Sequence, residues 1–461
     1  MRAPGRHRAS ALAGRSIARI PGLVRSGLAF FVAVWSLAVS TMGQVSTSRV
    51  EPPDAYAAFE VPALAERYRR EAGSNVIANP DFFCTACSKE GRIAAKQRND
   101  LKTILEVRER QIIDGKGVDM EFGAFRLCEE KADHVLRYLF DELKSPNPVF
   151  IEDFLFRLFT DLPAADCREG NAAIGPELAE LVDIFPELKS EVRTLNPHQR
   201  AHLTLIRAHR IRRGFEALIG ATDGIRGAAQ TWGPFYGQAQ KHEIYVFDAK
   251  KPFSQFTTAF LNREPNVDGL WLRTLKDSSM VLAVHVPNLN TGTRDTICKS
   301  VVTHRLAFNL ALSWRGYVAD LPAWVTVGIA HLMERACRTD VNSFTLSGGT
   351  IPPPFKAEDW KRVAADRIAK KKYMPLARLM TTTEASGIPL DERPVVWSMV
   401  SFLAQTDPKK FGELYRFLKA KGVQNADWTK IQAEMFRRVY GFTTAEFEAE
   451  WTKWVAAKWA R

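Results

Sequence analysis

Apolar residues change their spacing several times along this chain, and each change predicts an element. Cys128, Ala132, Val135, Leu136, Leu139 and Leu143 fall at helical spacing, and Ser145-Pro-Asn-Pro148 stops that helix. The block Phe150 to Thr160 is dense in aromatic and branched residues and predicts a buried strand. Residues 163–197 read as an irregular insertion. A helix from about 198 to 219 buries Ala208, Ile211, Phe215 and Leu218 and ends at Gly220. Glu243–Asp248 and Met280–Val286 read as strands, and the remainder is mostly helical. Within it, Ile297, Val301, His304, Phe308 and Ala311 form a stripe, and a second helix starts near Pro322 behind Asp320. Thr443 and Glu446 have capping-box spacing ahead of a Phe447, Trp451, Trp454, Val455 stripe.

The first fifty residues have a different pattern. Arg2, Arg6, Arg8, Arg15, Arg19 and Arg25 precede an apolar run, Gly27 to Val39, followed by Ser40, Thr41 and Gly43. A thirteen-residue helix spans about 20 Å, short of the roughly 30 Å bilayer core. This order predicts a signal peptide over 1–43, removed on export, or a membrane tether if it is retained. A polar linker over 44–55, a helical cysteine-containing region over 56–147 and a larger domain over 148–461 follow. The expected fold class is α+β, predominantly helical.

Charge narrows the function classes. The chain carries 64 basic and 52 acidic residues, but six of the arginines lie in the leader. The rest is nearly balanced, so the basic pI is not a nucleic-acid footprint. Six cysteines (Cys84, Cys87, Cys128, Cys167, Cys298 and Cys337) in an exported chain are expected to form disulfides.

Several residue sets have metal or redox spacing. Cys84-x-x-Cys87 matches a redox centre or half a zinc site, and Cys128 and Cys167 could complete a four-thiolate site; disulfides remain the default. His198 and His202 are spaced like helical metal ligands, with His209 two turns on. Arg200, Arg207, Arg210, Arg212 and Arg213 crowd the same segment, so a solvated basic face is expected there.

Thr303-His304-x-Leu306-Ala307-Phe308-Asn309, followed by Leu321-Pro322, Trp324, Gly328 and Ala330, resembles the two motif helices of peptidase-MA-like proteins of the thermolysin-type (gluzincin) clan. The resemblance covers roughly residues 148–461 and implies a zincin-like domain. It places the first zinc-binding His on Ser300, the general base on Val301, the second His on His304 and the third ligand, a Glu, on Val327. Catalytic zinc needs three protein donors and an open position, and valine can neither ligate nor accept a proton. The implied protein is therefore a catalytically inactive, exported metallopeptidase-like chain with no cofactor, its zinc lost, that binds an unidentified protein or peptide or plays a structural part. The rival is a metal-dependent hydrolase with a displaced site on His304, His331 and Glu334, because residues 327 and 331 share a helix face.

Overall fold

A computed structural model describes residues 83–89, 138–153, 155–167, 176–188, 194–221, 241–261, 269–273, 280–286, 294–314, 320–337, 345–346, 349–350, 359–421 and 426–459. All belong to one compact unit, Asp54–Arg461. The expected signal peptide and linker, and most of the 56–147 region including Cys128, lie outside the described residues. No helix among the described residues is long and apolar enough to cross a membrane.

Strands β1 (Phe83–Cys84), β2 (Val149–Glu152), β3 (Phe156–Thr160), β6 (His242–Phe247), β7 (Gly269–Arg273) and β8 (Met280–His285) form one mixed sheet in the order β1-β2-β3-β6-β8-β7. β3, β6 and β8 run parallel, and the outer pairings are antiparallel. The block expected as one strand from 150 to 160 is a hairpin instead. Asp153 turns it, its Oδ1 accepting the Leu155 and Phe156 amides at 2.8 Å each.

Period-two alternation sorts the strand residues between two cores. Tyr245, Phe247, Val281, Ala283 and Phe159 face one layer, which α4 (Lys250–Leu261) covers with Phe253 and Phe256. Ile244, Val246, Leu282, Val284 and Leu158 face the other, larger layer. There the sheet meets α3 (Pro197–Leu218) and α5 (Arg294–Ser313), and α6 (Ala323–Cys337) packs on α5. Central parallel strands buried on both faces need this helix cover.

The expected insertion is partly ordered. β4 (Ala165–Asp166) and β5 (Thr194–Leu195) pair antiparallel, and α2 (Pro176–Ile184) lies on α3. α3 begins with a capping box between Asn196 and Gln199 and with Pro197, whose missing amide costs nothing there. Gly220, at φ +61°, follows its last turn. The C-terminal helices include α7 (Trp360–Ala369), α8 (Leu376–Thr381), α9 (Arg393–Thr406), α10 (Pro408–Lys421), α11 (Trp428–Met435) and α12 (Thr444–Trp459). The Thr443/Glu446 capping box is present, with bonds of 2.7 and 3.2 Å. Gly328 is required by packing: a Cβ there would lie 2.3 Å from Val400 Cγ2, so the α6–α9 approach needs a bare backbone.

Candidate metal centres

Two groups of metal-ligating side chains are assembled among the described residues. The first joins two sequence features read separately above. Cys84 ends β1, and Cys87 lies in the short helix α1 (Thr85–Lys89) that continues from it. β1 is held as the edge strand by antiparallel pairing with β2, and the Thr85 hydroxyl bonds the backbone of Phe150. This places both thiols against the first two turns of α3. Cys87 Sγ lies 3.1 Å from His198 Nε2 and 3.3 Å from His202 Nε2, and Cys84 Sγ lies 3.5 Å from His198 Nε2. All four ligating atoms lie within 4.8 Å of one another. The four residues are buried, none more than 6% exposed.

The arginines of α3 do not form a solvated face. At 100° per residue, Arg200 and Arg207 project from the side opposite His198 and His202. Both are buried, and Arg207 makes a bidentate pair with Asp295 at 2.8 and 2.7 Å and a bond to Glu177 at 3.0 Å. Arg212 pairs with Glu216, and Arg213 and Arg210 pair with Glu180. Each arginine pairs with a carboxylate, and Arg200 and Arg207 point away from His198 and His202, which weakens the objection to a cation at the start of this helix. His209, two turns beyond His202, is a hydrogen-bonded core histidine, 2.5 Å from Asp153 Oδ2. Burial, against the pull of Asp153 and with Arg212 and Arg213 nearby, lowers its pKa to about 4.

The thiols separate into two kinds. Burial opposes ionisation of Cys84, but its hydrogen bond with Cys87 and the proximity of His202 and His198 carry its pKa well below the ordinary thiol value. Burial instead pushes Cys167 up to about 12 and Cys298 up to about 11, so both stay protonated and inert. None of Cys84, Cys87, Cys167 and Cys298 is in a disulfide. Cys128 and the Cys337 side chain lie outside the described residues. Cys167 packs with Leu181, Phe185 and Leu203, so it does not join Cys84 and Cys87 as the alternative four-thiolate grouping would require.

The second group is His304, His331 and Glu334, whose ligating atoms also lie within 4.8 Å. α5 and α6 bring them together. Ser300 Oγ donates to Glu334 Oε1 at 2.5 Å, His331 Nδ1 lies 3.1 Å from Glu334 Oε2, and the His304 and His331 rings lie 4.5 Å apart. One turn forward on α5 therefore matches about one turn back on α6. Glu334 and His331, beyond Val327, are the residues that meet Ser300 and His304. Ser300, Val301, His304, Val327, His331 and Glu334 are all at most 3% exposed. Burial, His331, Arg305 and Arg393 hold the His304 pKa well below its usual value, with Glu334 opposing. Burial with Arg393, Arg335 and Arg305 does the same for His331. Both histidines are neutral, in surroundings rich in positive charge.

No family model, curated protein or solved structure matches this chain.

Proposed function

We propose that this chain is a non-catalytic, metallopeptidase-like protein that acts by binding a protein or peptide or as a structural component outside the cytoplasm. One observation carries the reading. Glu334, the carboxylate that meets the first motif helix, has one oxygen on Ser300 and the other on His331, within a cluster sealed from solvent. A hydrolytic zinc centre needs an open position for water and substrate and a base beside it. Val301 and Val327, both buried, occupy the sequence positions that the resemblance assigns to the base and the third ligand. The residues at this position do not fit a catalytic zinc.

The order of elements also supports the reading: sheet strands, then an α5–α6 pair that carries the two resembling segments. The leader over 1–43 supports export. Sequencing the N-terminus of the mature protein tests that part, and an intact Met1 on a cytoplasmic protein would overturn it.

The proximity of His304, His331 and Glu334 favours a second reading, a hydrolase with a displaced metal site. Peptide-library cleavage with added zinc separates the two. The non-catalytic reading expects no turnover, whether His304 is present or replaced by alanine. Zinc-dependent cleavage abolished by Glu334→Gln or His304→Ala would overturn it in favour of the hydrolase.

A further inference from the structure

We propose that Cys84, Cys87, His198 and His202 bind one zinc ion as a closed structural site that clamps the β1–α1 turn onto α3. The proposal goes beyond the reading above and concerns different residues.

The donor set is the first argument. Two thiols and two imidazoles are the ligands of tetrahedral structural zinc, and both spacings suit it: two intervening residues between the cysteines, three between the histidines. Geometry is the second. Zinc bonds of about 2.3 Å to sulfur and about 2.0 Å to nitrogen, at the tetrahedral angle, put sulfur and nitrogen about 3.5 Å apart. The observed sulfur–nitrogen separations are 3.1, 3.3 and 3.5 Å. Ligating atoms gathered within 4.8 Å surround one ion and leave no room for a two-iron cluster, whose ligands divide between two metals.

Charge is the third argument. Two thiolates and two neutral imidazoles around a divalent ion sum to zero, which suits a site 0–6% exposed. Binding would release to solvent whatever protons the four ligands hold beyond two thiolates and two neutral imidazoles. Full enclosure gives the site no open position, so its role is structural. The Phe185 ring stands edge-on to both imidazoles, at 5.0 and 5.1 Å, and excludes water from that side. Phe185 follows α2 in the segment expected as an irregular insertion, so that segment serves as a wall of the site.

The location explains why a clamp is needed. β1 contributes two residues to the sheet edge and α1 only five residues beyond it. So short a segment gains little from backbone pairing, and a metal tying it to a 22-residue helix would fix it.

The test uses the full chain purified under reducing conditions, with metal content measured for the natural protein, Cys87→Ser and His304→Ala. The proposal expects about one zinc per chain in the natural protein and in His304→Ala, and at least about a tenfold loss in Cys87→Ser. Should Cys87→Ser fail to fold, cobalt exchanged into the natural protein decides. Thiolate-to-cobalt charge-transfer bands support the site, and their absence overturns it. Protein isolated with a Cys84–Cys87 disulfide that takes up no zinc after reduction would also overturn it. Zinc kept by Cys87→Ser but lost by His304→Ala would overturn this proposal, whereas zinc-dependent peptidase activity with zinc still on the cysteines would overturn only the non-catalytic reading.

Discussion

His198 and His202 lie on α3 and His304 on α5, two helices that pack against each other, and both donor clusters are buried. Their surroundings differ. Around the first, two thiols bring ionisable sulfur, Arg200 and Arg207 project from the opposite side of α3, and the arginines of that helix pair with Asp295, Glu177, Glu180 and Glu216. Around the second, one carboxylate is already engaged by Ser300 and His331, and Arg305, Arg335 and Arg393 add positive charge. By this contrast the cluster between α5 and α6 is the poorer cation site. Proximity of donors does not make a metal centre; the charge balance and prior engagement of those donors decide.

The largest effect expected from this contrast is on metal removal. Chelation under reducing conditions is expected to destabilise the natural protein by several kcal/mol, of order 5 °C in Tm, and added zinc should restore it. Differential scanning calorimetry with and without chelator checks this. A Tm indifferent to chelator and zinc would remove the clamp from the account.

Glu334→Ala should have the next largest effect, and of a different kind. It leaves the buried Ser300 hydroxyl and His331 ring without their carboxylate, at a cost of about 2–4 kcal/mol, while zinc content stays unchanged. Urea unfolding read beside metal analysis gives both numbers. Loss of zinc in this variant would mean the two clusters had been assigned the wrong way round.

A smaller effect concerns His209, a histidine on the same helix as the proposed ligands that serves only the core. Its folded pKa of about 4 lies below the ordinary value of 6.5, so the folded state binds fewer protons than the unfolded one across that interval. Its contribution is complete above pH 6.5 and is lost as pH falls towards 4, reaching about 2 kcal/mol of lost stability by pH 5. The slope of unfolding free energy against pH between 6.5 and 4 should be shallower in His209→Gln than in the natural chain. Equal slopes would show that His209 does not stay neutral in the fold.

Much of the frame was legible because it rests on local signals. Gly220, the Thr443/Glu446 box and the apolar runs of β6 and β8 are all written in short stretches. The 149–160 hairpin was not, because one aspartate turns an apolar run and Asp153 gives no sign of its role until its bonds to Leu155 and Phe156 are known. The metal cluster was half legible. Both pairs of ligands were visible, but 111 residues separate Cys87 from His198, and only the pairing of β1 with β2 brings them together. A helical projection of α3 was the available signal, since it sets Arg200 and Arg207 opposite the histidines. Which α6 residues meet Ser300 and His304 is a matter of helix register that sequence spacing does not determine; Glu334 and His331 do so.

The measurement that bears most directly on the central contrast is the zinc K-edge absorption spectrum of the natural protein. Two sulfur scatterers at about 2.3 Å and two nitrogen scatterers at about 2.0–2.1 Å are the expected shell, the signature of Cys84, Cys87, His198 and His202. A shell of nitrogen and oxygen alone would place the ion on His304, His331 and Glu334 and contradict the account.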